Sequence, residues 1–200
     1  MANAAMSGFQ PESRGGLTVE LVRKRVLTNN TTAIFKGDAL DGAAGGDVIV
    51  TATTNAAVYS VQWGGASYVA GGDRLERNYL PAATLYTSTG VDPGNASYVM
   101  CVANMNEQVF EASVDAAIAL TDCGLNYVMT LGAGSTISGK SGHCLTATGR
   151  ATTATFPWRV TDFVLGDPKS DPDAANCKVR CMANAGRREP ALEIGGSLGT

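Results

Sequence analysis

Short alternating or apolar runs, cut by glycine, asparagine and proline, make up the chain. Residues 17–28 form a β-rich run that stops at Asn29-Asn30-Thr31-Thr32. Residues 47–54 and 57–62 are short and rich in Val, Ile and Thr, which favour strands. Gly64-Gly65 and Gly71-Gly72-Asp73 read as turns. Residues 97–103 and 108–112 predict strands around an Asn104-Met105-Asn106 turn. Residues 126–131, 153–165 and 178–183 supply the later strands, and Pro157 makes the second of these an edge strand, a bend or two strands. The best helix candidate is residues 114–120, Ala-rich, capped by Ser113 and stopped by Cys123-Gly124. At about seven residues it is short for a helix. Residues 167–175 form a loop whose acids lack the spacing and glycine of a calcium loop. The pattern predicts an all-β fold, an antiparallel sandwich or barrel-like arrangement with at most one or two short helices.

Composition sharpens this picture. Of 200 residues only 16% are charged, against about 25% in an ordinary domain. Glycine (24 residues) and small polar side chains take their place, giving a weakly solvated surface suited to packing on another protein. A hydrophobic share of 44% excludes a disordered chain. A net charge of −3 and a pI of 5.1 argue against nucleic-acid binding. No run approaches the ~18 apolar residues of a membrane span. Residues 1–15 show no basic region followed by an apolar run, so no secretory signal is expected. Residues 1–16 read as an extended arm, 17–185 as one β-rich domain, and 186–200 as a C-terminal tail.

The reactive residues converge on no catalytic set. Five cysteines without a C-x-x-C pair read as reduced thiols acting as small hydrophobes. Cys177 and Cys181 would lie about 13 Å apart on one strand face, too far to bridge. His143 is the sole histidine and lacks a nucleophile-elbow context. Arg23-Lys24-Arg25 reads as the solvated part of a strand. Gly134-Ser135-Thr136-Ile137-Ser138-Gly139-Lys140-Ser141 matches the phosphate-loop pattern. That mechanism needs a helix beginning at the lysine, yet Gly142, Gly149 and β-branched threonines follow. A Ser/Gly surface loop is the better reading, with a nucleotide hydrolase as the enzymatic alternative. No cofactor, metal or catalytic residue is expected.

Several segments, taken in order, resemble the head decoration (cement) proteins of tailed phages. Gly8-Phe9-Gln10-Pro11 is similar to the family's opening Gly-Phe-x-Pro, and Lys36-Gly37-Asp38-Ala39-Leu40 to its Gly-Asp-x-Val/Leu turn. Val109-Phe110-Glu111-Ala112-Ser113-Val114-Asp115 resembles its central Phe-Glu strand, and Cys123-Gly124-Leu125-Asn126 the Gly-x-Asn that follows. Residues 134–142 resemble its Gly-Ser-Thr-x-x-Gly-x-Ser-Gly loop, which accounts for the phosphate-loop match. Thr155-Phe156-Pro157-Trp158-Arg159-Val160 and Asn176-Cys177-Lys178-Val179-Arg180 resemble its last strands. The resemblance covers most of residues 8–184 and lapses over residues 64–78 and 186–200. It implies a non-catalytic virion protein on the outer capsid surface, made in the host cytoplasm. Such a protein clamps neighbouring copies of the major capsid protein and contacts neither membrane nor nucleic acid directly. A homotrimer is expected, with a dimer as the fallback. A tail or head-fibre module, the other virion reading, should show repeats or a heptad stalk, and neither is visible.

The arm is the expected capsid anchor. Extended, residues 1–16 reach about 50 Å. Their backbone is expected to lack partners within the isolated domain and to find them on a capsid sheet edge. Gly8, Phe9, Gln10 and Pro11 are the expected capsid-interface residues. Phe9 supplies the arm's one large aromatic ring, and Pro11 narrows its free conformations.

Overall fold

The computed structural model describes residues 8–13, 18–26, 31–43, 47–51, 53–82, 96–165 and 170–184. Residues 1–7 and 14–16 of the expected arm and the tail 186–200 lie outside the described residues. The strands are, in chain order, β1 (Gln10–Pro11), β2 (Leu21–Arg25), β3 (Ala39–Gly42), β4 (Val48–Val50), β5 (Ser60–Ala70), β6 (Asp73–Arg77), β7 (Tyr98–Val102), β8 (Phe110–Ser113), β9 (Asn126–Thr130), β10 (Cys144–Ala151), β11 (Trp158–Phe163) and β12 (Lys178–Ala183). They form two antiparallel sheets. The first runs β1-β8-β12-β11-β9-β10, and the second β2-β7-β5-β3-β4 with β6 paired to β5. The all-β expectation stands.

Period-two burial explains the central strands. In β12, Val179, Cys181 and Ala183 are buried while Lys178, Arg180 and Met182 are half-buried. In β11, Trp158 and Val160 point inward, and a bulge between Val160 and Asp162 resets the phase so that Phe163 is buried too. Pro157 sits in a bend just ahead of β11, where no ladder N–H is required, so of the three readings the bend holds and the central strand is neither an edge nor broken. Phe110, Tyr127, Leu145, Trp158 and Val179 of the first sheet pack with Ala39, Val58, Val61 and Val102 from the second sheet's side. A second cluster around Leu40, Tyr68, Val99 and Cys101 belongs to the second sheet alone.

Three local expectations are corrected. Residues 114–120 do not form a helix. Val114 makes an isolated bridge to Leu145, and only Leu120–Asp122 forms a 3-10 turn. Tertiary bonds claim this backbone: Asp115 N donates to Leu145 O at 2.9 Å and Ile118 N to Pro172 O at 3.1 Å. One short turn of helix cannot compete with them. Gly64-Gly65 is not a turn but lies inside β5, where the pairing with β7 shifts register between Gln62 and Ala66. A Cβ on Gly64 would come within 2.3 Å of the Met100 Cβ, so glycine lets β7 approach. Gly71-Gly72 does form a turn, with φ of +62° and +93°, joining β5 to a β6 that the sequence pattern did not reveal.

The third correction concerns the arm. The Gly8–Ser13 stretch does find partners within its own domain. β1 pairs with β8, Gln10 opposite Glu111 and Pro11 opposite Phe110. Phe9 N donates to Gly37 O at 3.0 Å and Glu12 N to Val109 O at 2.9 Å. Phe9 is 0% exposed. Its ring stacks on Trp158 with centroids 4.0 Å apart, and Phe110 meets Trp158 edge-on at 5.4 Å. Gly8, at φ +71°, threads a gap where a Cβ would lie 2.6 Å from both Gly37 O and the Ser141 Cβ. Phe9→Ala is therefore expected to lower the unfolding free energy by about 3–5 kcal/mol, read as a reduced midpoint in urea denaturation.

Candidate functional site

Two places gather polar chemistry. The first lies where β1 meets the body. Arg180 Nε donates to Glu12 Oε1 at 2.6 Å and its Nη1 to Asp162 Oδ2 at 3.3 Å, tying β1 across β8 to β12. Glu111 shares this surface. Burial raises its pKa, the hydrogen bond and charge of Glu12 raise it further, and Lys178 and Arg180 oppose. Gln10, Pro11, Glu12, Trp63, Glu111 and Arg180 line an open cleft of about 560 Å³. Of the expected interface residues, Gln10 and Pro11 line this cleft, while Phe9 is wholly inside and Gly8 is buried against the 37–38 turn.

The second place surrounds His143, which lines a cleft of about 600 Å³ together with Phe35, Ile49, Leu131 and Gly134. Ala39 N donates to His143 Nδ1 at 3.3 Å, which places the imidazole proton on Nε2. Nε2 faces Asp38 Oδ1 at 3.5 Å, and Asp38 Oδ2 accepts from Phe35 N at 2.7 Å. Burial lowers the His143 pKa against the pull of Asp38, so the folded imidazole is neutral. Burial raises the Asp38 pKa, opposed by the charge His143 carries when protonated, the Phe35 N–H and the Ser141 hydroxyl.

Serine, histidine and aspartate thus meet, but not in the order that nucleophilic catalysis needs. The Ser141 hydroxyl bonds Asp38 rather than the imidazole, and its oxygen accepts from His143 N at 2.9 Å. Both imidazole nitrogens are engaged, so neither can take a proton from Ser141. The cluster acts as a clasp. It joins the turn before β3, in the second sheet, to the segment that leads into β10, in the first. Sequence reasoning saw His143 without a partner because Asp38 lies far away in the chain. The Lys36-Gly37-Asp38-Ala39-Leu40 turn was the signal at hand.

The phosphate-loop match resolves into a hairpin loop. Ser135 N donates to Lys140 O at 2.9 Å and Gly139 N to Ser135 O at 2.7 Å, closing a turn with Ile137 at its tip, 99% exposed. The chain then enters β10, a strand, where phosphate binding needs a helix N-terminus. Lys140 is exposed.

The cysteines are free thiols. Burial pushes Cys101 up to about 12 and Cys177 up to about 11, which suppresses thiolate and reactivity. The basic run is more engaged than a solvated strand face. Arg23 lies 3.8 Å over the Tyr98 ring and Lys24 Nζ donates to Tyr59 OH at 2.8 Å. Among the described residues no helix is long and apolar enough to cross a membrane. Comparison with protein-family models finds no matching family, and searches of curated proteins and of solved structures return no match.

Two outcomes follow from this geometry. Because the folded His143 pKa is depressed, the unfolded chain takes up the proton first. Stability present above pH 6.5 should therefore fall as the pH drops below that value. Asp38, raised in the fold, contributes the opposite trend as the pH falls through its folded value. Denaturation midpoints between pH 7.5 and 5.5 should decline in the wild type, and His143→Gln should abolish that decline. Lys140→Ala should change stability by no more than about 0.5 kcal/mol, and calorimetry should detect no saturable ATP or GTP binding to the wild type that this substitution removes.

Proposed function

We propose that this chain is a structural capsid-decoration protein of a tailed phage, docking on the outer capsid surface as a homotrimer and clamping neighbouring major capsid subunits. The observation that supports this reading is where the family-like segments lie. They are scattered over the sequence, yet those on β1, β8, β12 and β11 are consecutive neighbours in one sheet. The other three abut them or one another: Gly37 O accepts from Phe9 N, Ser141 N donates to Lys36 O at 2.9 Å, and Gly124 N donates to Val160 O at 2.9 Å. Unrelated chance matches have no reason to assemble into one unit around Phe9 and Trp158. The small, weakly charged surface suits extended contact with another protein.

The buried Phe9 changes how the anchor works. Gly8 and Phe9 fix the root of the N-terminal segment inside the body. Residues 1–7 and Gln10, half-buried on the outer edge of β1, are left to meet the capsid, while Pro11 is buried. The root then serves as a rigid mount that limits the ordering cost of docking. Deleting residues 1–7 should leave the unfolding midpoint unchanged while affinity for capsids lacking the protein falls at least tenfold, or about 1.4 kcal/mol, in a sedimentation binding assay. Equal binding by the truncated chain would place the anchor elsewhere. Failure of the intact chain to bind such capsids would end the decoration reading.

A further inference from the structure

The β5–β6 hairpin carries an edge that is complementary to itself. All five residues of β6 (Asp73, Arg74, Leu75, Glu76 and Arg77) are exposed, and among the described residues β6 pairs with β5 alone. The Ala70–Asp73 pair closes the two-residue glycine turn, and a closing pair of this kind is hydrogen-bonded. Alternation along the ladder then turns the backbone N–H and C=O groups of Arg74 and Glu76 toward the open edge. Leu75 lies opposite Tyr68, which is 2% exposed, yet is itself 37% exposed. It continues an apolar row that stops at the edge.

We infer that β6 pairs antiparallel with β6 of a second copy, about a two-fold axis through Leu75. In that register Asp73 faces Arg77 of the second copy, Arg74 faces Glu76, and Leu75 faces Leu75. Every charged pair joins opposite signs, and the one apolar position meets itself. The backbone agrees with this register. Arg74 of each copy exchanges both main-chain hydrogen bonds with Glu76 of the other, which leaves Leu75 as the non-hydrogen-bonded pair, where side chains approach most closely. Arg74 keeps its bond to Ser67 Oγ, 2.9 Å on the strand's own ladder. Shifting the register by two residues would set Glu76 against Glu76 or Arg74 against Arg74, so one register is selected. Alternating charge also keeps other strands off an open edge, and this order admits its own copy. A two-fold seam cannot close a three-fold ring, so it is distinct from the trimer proposed above and stands without it.

Cross-linking and charge exchange test the seam. In a Cys123→Ser background, which removes the exposed native thiol, Leu75→Cys should oxidise to a covalent dimer at least tenfold faster than Asp73→Cys. The two copies of residue 75 meet on the axis, while the two copies of residue 73 lie roughly 13 Å apart. Added to the Leu75→Cys chain, Arg74→Glu alone and Glu76→Arg alone should each lose the fast cross-link, because like charges then face each other. Mixing those two variants should restore it, since both facing pairs become complementary again. All the substituted positions are exposed, and circular dichroism verifies that each variant stays folded. Equal cross-linking of Leu75→Cys and Asp73→Cys would overturn the inference. So would single charge variants that cross-link as well alone as when mixed.

Discussion

The stack of Phe9 on Trp158 is the constraint on which the rest of the first sheet depends. Trp158 opens the central strand β11, and Phe110 closes on its ring from β8. Phe9 comes from a segment with only two residues of strand, yet its ring stacks on Trp158 at 4.0 Å. Aromatic side chains each bury on the order of 150–250 Å², so this trio outweighs the few hydrogen bonds that β1 makes. The ring must enter past the 37–38 turn and Ser141, which requires a residue without a Cβ at position 8. That passage draws the turn before β3 and the loop before β10 to the same point.

Around this point polar groups act as ties rather than as chemistry. His143 receives the Ala39 N–H and faces Asp38, so one neutral side chain links the two sheets. Arg180 makes a tie on the surface of the first sheet, holding Glu12, just past β1, and Asp162 of β11. Both ties rely on partners distant in sequence. A cluster with the residue types of a catalytic triad can thus be a brace, and connectivity rather than composition separates the two.

The open sheet edges are treated differently from one another, and this bears on assembly. β1 carries Pro11, which removes a donor from its edge. β2 carries Arg23, Lys24 and Arg25, stacked on or bonded to Tyr98, Tyr59 and Asp47. Among the described strands β6 alone presents an alternating charge order that reads the same, with signs exchanged, from either end. A chain with few charges overall has placed four of them on five consecutive exposed residues. Such an edge discriminates against most strands while remaining open to one of its own kind.

Local chemistry was legible in the sequence where a strand is regular and half-buried. Residues 178–183 alternate cleanly because Val179, Cys181 and Ala183 face one core, and the strand appears with those bounds. Gly71-Gly72 turns because positive φ at two successive positions admits little else. Composition likewise fixed the all-β class, since β-branched residues and glycine leave no length of chain suited to a stable helix. Tertiary structure decided the rest. Gly64-Gly65 became a close approach rather than a turn because Met100 stands against it. Residues 114–120 lost their helix to bonds from Leu145 and Pro172. Phe9 passed from expected contact residue to core residue because Trp158, almost 150 positions away, offers its ring face. Local propensity records what a few residues prefer in isolation, whereas these outcomes turn on which distant groups meet, information that no short window of sequence contains.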